Sequence, residues 1–437
     1  MIPWHVIAQI GEDEFYPALD PEFPRFVVTI DKPGSNHSLV QQFLAPVFDV
    51  GLRPSQTAID LVNLAAIIYT ADLRVWRGYN DEDGWTREIQ VYVPVADVEL
   101  WNAAAGILCD LLRFLTGDNW RVSFRAATGV LAGTLGKPTA RSPQAVCLFS
   151  GGLDSYVGAI DLLASGKHLA LVGHYGNTQR EQLAAYEALK PVYDLQMLPL
   201  WFYLVPPKSS KDQVVELTMR SRSILFLTLG TAVATALPAG TPLYIPENGV
   251  ISLNVPLTFG RTGTLSTRTT HPHTIALYQK LIEALGISVP LSTPYRFKTK
   301  GEMLRDCSDK EVLKSGIYST MSCSRPQSGR FHGRPVGQHC GYCVPCIIRR
   351  AALTAVKLDN EPRIKDVLSA DIRANEAAGQ DKRPFLMAIA RLRAMSDLEV
   401  TSEILASGPI DVSDLEGLTG VFRRGMQEVD QFLGGKT

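Results

Sequence analysis

No apolar run reaches the length of about eighteen residues that a membrane-spanning helix needs, so the sequence offers no transmembrane segment. The opening residues, Met1-Ile-Pro-Trp-His-Val, lack both the basic region and the apolar core of an export signal, and cytoplasmic residence is the expectation. Charge of one sign is also missing. The formal net charge of -1 gives the whole chain no electrostatic attraction to nucleic acid, which is not expected as a partner. Repeats and low-complexity stretches are absent. The seven cysteines do not form a disulfide framework: Cys109, Cys147 and Cys307 stand alone, and the other four crowd into one segment. That distribution fits a reducing compartment and one metal site. What remains is an ordinary globular composition in a chain long enough for two or three cores.

Residues 1–140 read as an α+β accessory domain. Phe26–Ile30, Ile89–Val93 and Arg121–Phe124 have strand character, and Thr57–Trp76 and Val98–Leu115 carry apolar residues at helical spacing. From residue 141 the texture becomes strand, turn, helix, repeated. Ala145–Phe149, Leu169–Val172 and Leu243–Ile245 are strand candidates; Arg222–Leu237, Pro272–Leu285 and Ile347–Val356 are helix candidates. Alternation of this kind predicts an α/β fold with a parallel sheet and helices on both faces over 141–352. Residues 353–437 read as a polar helical tail, with a Gly-Gly-Lys-Thr end expected to fray.

Directly after the Ala145–Phe149 strand comes Ser150-Gly151-Gly152-Leu153-Asp154-Ser155. Paired glycines let a backbone approach an anion and present successive N–H groups, and a helix start adds partial positive charge. Ser150 and Ser155 can donate to phosphate oxygens, and Asp154 can help to hold magnesium. A Walker loop is excluded, because its Gly-Lys-Ser/Thr ending is missing. The plain alternative is a tight turn with an ordinary cap; all five fixed positions in a strand–helix context favour phosphate.

Downstream, Cys340-Gly-Tyr-Cys343-Val-Pro-Cys346, with Cys323 before it, supplies the four thiolates of a closed tetrahedral zinc site. Such a shell has no open position, so its role is structural. A redox-active C-x-x-C is the rival reading. His332 and His339 lie close enough in sequence to serve as substitute ligands.

Ser150–Ser155 resembles the PP-loop of the adenine-nucleotide α-hydrolase superfamily, which cleaves ATP between its α and β phosphates. More particularly, the chain is similar to the 7-cyano-7-deazaguanine synthases of queuosine biosynthesis. The likeness recurs in order in His174-Tyr175-Gly176-Asn177, Arg222-Ser223-Ile224-Leu225-Phe226, Thr293-Pro294, Thr299-Lys300-Gly301-Glu302 and Thr320-Met-Ser-Cys323. Taken singly, Arg222 could be a surface arginine, Lys298 and Lys300 solvated charges, and Glu302 a helix-surface partner of a lysine. Their order implies a site instead. Lys300, Asp154 and Arg222 are then the catalytic candidates, and Ser150, Gly151, Gly152, Asp154, Ser155, Tyr175 and Gly176 contact the nucleotide. Cys323, Cys340, Cys343 and Cys346 bind zinc. ATP, Mg2+ and Zn2+ are the implied cofactors and a deazaguanine carboxylate the implied small-molecule substrate.

Three departures separate the chain from that pattern. It has long additions at both ends. The Cys323–Cys340 loop is extended and basic, with Arg325, Arg330 and Arg334. His174, Asn177 and Gln179 replace the acidic residue, glutamine and histidine of the family's Tyr-Gly element. Over its whole length the chain looks like the synthase-like component of bacterial anti-phage operons of the Qat type; related proteins occur in some cyclic-nucleotide defence systems. That resemblance implies an ATP-dependent ligase joining the activated acid to an amine of a partner protein encoded nearby. A nitrile-forming synthase, a tRNA sulfurtransferase and a non-catalytic nucleotide-binding scaffold are the alternatives.

Overall fold

The computed structural model describes residues 3–10, 23–30, 38–76, 86–127, 142–176, 178–206, 220–258, 268–369 and 377–434. Asn177 and the last three residues of the chain lie outside them.

The strands are β1 (Trp4–Ile10), β2 (Arg25–Ile30), β3 (Ser38–Gln42), β4 (Glu88–Val95), β5 (Asn119–Ala126), β6 (Ala145–Leu148), β7 (Leu169–His174), β8 (Met197–Val205), β9 (Leu243–Tyr244) and β10 (Leu291–Ser292). Together they make one ten-stranded sheet in the order β10-β9-β6-β7-β8-β3-β2-β1-β4-β5. Every pairing is parallel except β3 with β8, where Val40 lies opposite Val205 and Gln42 opposite Tyr203. The N-terminal strands, expected as an accessory α+β unit, therefore run parallel to one another and extend the sheet that carries Ser150–Ser155. Periodicity predicts strands but carries no information about which strand pairs with which.

The half of the sheet that carries β6 is sandwiched. In β6, Val146 and Leu148 enter one core with α2 (Gln56–Arg74), α6 (Arg222–Thr235) and α8 (Pro272–Ala284). Ala145, Cys147 and Phe149 point the other way, into a core with α4 (Leu153–Ala164) and α5 (Gln179–Tyr193). A strand buried on both faces reads as a continuous apolar run, which is why this one was legible. On the N-terminal side, α2 and α3 (Val98–Thr116) cover the inner face, where Ile89, Val91, Val93 and Val95 of β4 are buried.

A separate core gathers the four clustered cysteines with α7 (Gly249–Leu253), α11 (Val344–Ala355), α12 (Ala377–Leu392), α13 (Asp397–Leu405) and α14 (Leu415–Phe432). The remaining helices are α1 (Leu44–Asp49), α9 (Lys300–Asp306) and α10 (Lys310–Gly316). The C-terminal tail, expected helical and polar, is helical, and its α14 buries Leu418, Val421, Phe422, Met426 and Val429 along one face. Among the described residues no helix is long and apolar enough to cross a membrane.

Candidate functional site

At the carboxyl end of β6 the chain turns through Ser150–Gly152 into α4. Gly151 has φ of +77°, and a Cβ there would lie 2.4 Å from Cα of Gln182. Only glycine fits both the left-handed backbone and that approach. Gln182 in turn donates from Nε2 to the Phe149 carbonyl at 2.6 Å, fixing α5 against the loop. No side chain caps the first turn of α4, although Ser155 Oγ donates to the Gly152 carbonyl at 3.0 Å and lies 3.3 Å from Ser150 Oγ. A helix start with uncapped N–H groups beside two hydroxyls suits an anion.

Ser150, Gly152, Asp154 and Ser155 line a cavity of about 310 Å³ that Lys300 also reaches. Thr299 starts α9 with a capping box: its Oγ1 accepts from the Glu302 N–H at 3.0 Å, and the Glu302 carboxylate accepts from the Thr299 N–H at 2.9 Å. This aims the buried Lys300 ammonium at the Asp154 carboxylate, with which it pairs. Asn248 donates to the other oxygen of Asp154 from Nδ2 at 2.7 Å. Burial opposes ionisation of Asp154, but the Lys300 charge and hydrogen bonds from Glu247, Lys300 and Asn248 bring its carboxyl down to about 2. Burial and the Asp154 charge push the neighbouring Glu247 well above the ordinary carboxylate range. The two carboxyls are thus pushed in opposite directions, Asp154 toward its charged form and Glu247 toward its neutral one.

The rest of the wall comes from Ser223, Phe226 and Leu227 of α6, from Pro246 and Ile251, from Thr269 and Thr270, and from Met321, Ser322 and Pro345. Mostly apolar walls with a few hydroxyls and one charged end suit a flat, polar-edged ligand. Gly151, Tyr175, Gly176 and Arg222 do not line this cavity. Tyr175 stacks on Trp201 with centroids 6.3 Å apart, at the end of the neighbouring strand β7. Arg222 is exposed there, its guanidinium so close to Gly176 that a Cβ would meet it at 2.8 Å. His174 is buried, and burial followed by the Arg222 charge lowers its imidazole to about 4. Lys298 pairs with exposed Asp306, as a solvated charge does.

The four clustered cysteines are buried, with sulfurs all within 4.8 Å of one another. Cys323 and Cys343 sulfurs are 3.9 Å apart and those of Cys340 and Cys346 3.8 Å, the spacing of thiolates on a tetrahedral ion at about 2.3 Å. Backbone N–H groups of Arg325 and Cys340 donate to the Cys323 sulfur, and that of Cys343 to the Cys340 sulfur. The donor set fits zinc. His339 is turned aside, accepting from the Ser322 N–H at 3.2 Å, and His332 is exposed. Next to the cluster, the Met321 N–H donates to the Gly151 carbonyl at 2.9 Å, so the cysteine segment props the Ser150–Gly152 turn. Buried Arg349 of α11 ties that segment down through Glu361, Thr320 and the Ile317 carbonyl.

Sequence reading missed Glu247, Asn248, Gln182 and Glu361. Glu247-Asn248 follows a two-residue strand with no spacing signature, and Gln182 acts through a single carbonyl. It also missed Glu428 of α14, which accepts from Thr299 Oγ1 and from the Gly301 N–H at 3.3 Å. With the Arg424–Glu302 ion pair at 2.6 Å, this clamps the start of α9 to the C-terminal region.

No family model matches the chain, and no solved structure matches it. Among curated proteins, the 7-cyano-7-deazaguanine synthases of two Leptospira interrogans strains, serovar copenhageni Fiocruz L1-130 and serovar Lai 56601, are each 25% identical to it over 242 residues. The match spans 49% of this chain and 88% of each relative. About half of the chain is thus distantly similar to 7-cyano-7-deazaguanine synthases, and the other half is additional to that match.

Proposed function

We propose that the chain is a PP-loop ATP-pyrophosphatase that activates a 7-deazaguanine carboxylate as an acyl-adenylate and transfers the acyl group to an amine. One observation carries the reading: Lys300 crosses 146 residues of sequence to meet Asp154 at the Ser150–Ser155 loop, inside one cavity. A solvated lysine has no reason to be there. The similarity to 7-cyano-7-deazaguanine synthases supports the substrate class.

The ATP phosphates lie against Ser150, Ser155 and the uncapped start of α4. A carboxylate oxygen of the acid attacks the α-phosphorus, the bond to the bridging oxygen of the β-phosphate breaks, and pyrophosphate leaves with that electron pair. Lys300 neutralises the charge that develops on the leaving group, and Arg222, at the edge beside β7, is the next cation outward. The Asp154 carboxylate would offer a hard oxygen ligand to a magnesium ion, which would neutralise triphosphate charge. The amine nitrogen then attacks the acyl carbon, AMP leaves, and the nitrogen loses its proton to water. Holding both reactants in one cavity supplies much of the rate, so no strong general base is required.

An amine on a partner protein, within anti-phage defence, is the acceptor this account favours; the two additions and the His174 substitution support a changed second step. A substituted amide cannot lose water to a simple nitrile, so such an enzyme stops at the amide. A second reading, nitrile formation with ammonia, is favoured by what the relatives are called. Mass spectrometry of a reaction containing ATP, magnesium, 7-carboxy-7-deazaguanine and ammonia separates them. AMP and pyrophosphate without nitrile support transfer to another amine; accumulating 7-cyano-7-deazaguanine sinks it.

A further inference from the structure

Two of the segments that complete the cavity around the Ser150–Ser155 loop are the first turns of α6 (Ser223, Phe226, Leu227) and Thr269–Thr270. Both are fastened to the N-terminal half of the chain just upstream of their cavity residues. Asp72, fully buried in the last turn of α2, accepts at Oδ2 from the Arg220 N–H (2.8 Å), the Ser221 N–H (2.9 Å) and Ser221 Oγ (2.9 Å). Its Oδ1 accepts from Arg87 Nη2 at 2.6 Å, and Arg87 also binds Asp118 at 2.6 Å. The result is a buried charge cluster holding the start of α6 by one carboxylate.

The second fastening uses the carboxyl end of α3. Arg220 Nη1 donates to the Thr116 carbonyl at 2.7 Å, and Arg268 Nη1 donates to the Phe114 carbonyl at 3.0 Å. The Arg268 guanidinium also lies over the Phe114 ring, 4.5 Å from its centroid. Cations on the last carbonyls of a helix satisfy groups that have no partner within it. Arg220 and Arg268 thus immediately precede the two wall segments, and α3 receives both.

We infer that the N-terminal half is a working part of the substrate cavity: Asp72 of α2 and the end of α3, on which Arg268 docks, position the walls that hold the acid, leaving the ATP-binding loop to the other half. These are positioning residues, since neither Asp72 nor Arg268 lines the cavity. The inference rests on the reading of the chain as an acid-activating enzyme. It predicts a split between the two substrates, because the phosphate loop is held by Gln182 and Met321 instead.

The test compares Asp72→Asn, Ser221→Ala and Arg268→Met with the unsubstituted chain. Pyrophosphate release is measured against 7-carboxy-7-deazaguanine and against ATP, with amide exchange followed by mass spectrometry over α6 and residues 268–272. We expect KM for the acid to rise at least tenfold in Asp72→Asn and at least threefold in the other two. The kcat and KM for ATP should stay within twofold, and exchange should accelerate in the two wall segments but not in α4. An unchanged acid KM, or equal rises for both substrates alongside a lower melting temperature, overturns the inference and leaves Asp72 a folding residue. Should Asp72→Asn fail to fold, Ser221→Ala and Arg268→Met decide by the same criteria. If the unsubstituted chain does not use this acid, the functional reading fails, and amide exchange decides the inference: wall segments no looser than α4 overturn it.

Discussion

Replacing Lys300 with methionine keeps the length and apolar stem of the side chain and removes its charge. In the folded protein the Lys300 ammonium is 5% exposed and faces the Asp154 carboxylate. Removing one partner of a buried ion pair costs about 3–5 kcal/mol where the remaining charge is stranded. Asp154 is not stranded: Asn248 still donates to it at 2.7 Å. We therefore expect a loss of about 1–2 kcal/mol, a moderate drop in melting temperature. Catalysis should suffer more, because a cation directed at a leaving group contributes mainly in the transition state. Removing one such preorganised contact costs about a hundredfold to a thousandfold in kcat. Acid-dependent release of pyrophosphate, followed at saturating ATP, reads this directly. The double variant Asp154→Asn/Lys300→Met should recover part of the lost stability and none of the lost rate. A Lys300→Met protein that retains its rate within threefold would refute the assignment and return Lys300 to a purely structural pairing.

Three further outcomes are expected. Elemental analysis should find one zinc per chain, and Cys343→Ser should lose it together with nucleotide affinity, because the Met321 N–H that holds Gly151 belongs to the cysteine segment; intact ATP binding without zinc would contradict the link. Gly151→Ala forces an L-residue to φ of +77° and into Cα of Gln182, so ATP binding measured by calorimetry should weaken at least thirtyfold; wild-type affinity would mean the loop does not hold the nucleotide as described. Burial, then the Arg268 and His273 charges, lowers His271 to about 3, and burial with the Arg222 charge lowers His174 to about 4. Both values are depressed below the unfolded value of about 6.5, so their contribution is present above that pH and is lost as pH falls through about 4 and 3. Each should cost up to about 2 kcal/mol by pH 5, visible in urea midpoints. His271→Gln should flatten that slope, and an unaltered slope would assign the acid sensitivity elsewhere.

The strand–turn–helix geometry of Ser150–Ser155 and the clustering of the four cysteines were legible because each is encoded in a few nearby residues. Lys300 was legible only through the order of weak motifs, since nothing local distinguishes it from Lys298; the capping box at Thr299 is what aims it inward. Glu247, Asn248 and Glu428 were not legible. They act by position in three dimensions, and each sits in a sequence context that many proteins share. The N-terminal helices and several strands were readable from periodicity, yet their joining to the main sheet through β3 and β8 was not. Strand pairing depends on contacts between segments far apart in sequence, and alternation of apolar residues does not encode the partner. The same limit hid the role of Asp72, which lies in a helix that reads as ordinary core.

The central claim, activation of a deazaguanine acid by ATP cleavage between the α and β phosphates, is tested most directly by isotope exchange between pyrophosphate and ATP. Exchange that appears only when 7-carboxy-7-deazaguanine is added, and disappears in Asp154→Asn and Lys300→Met, is the predicted result. Absence of exchange with that acid, or exchange that both variants retain, would contradict the account.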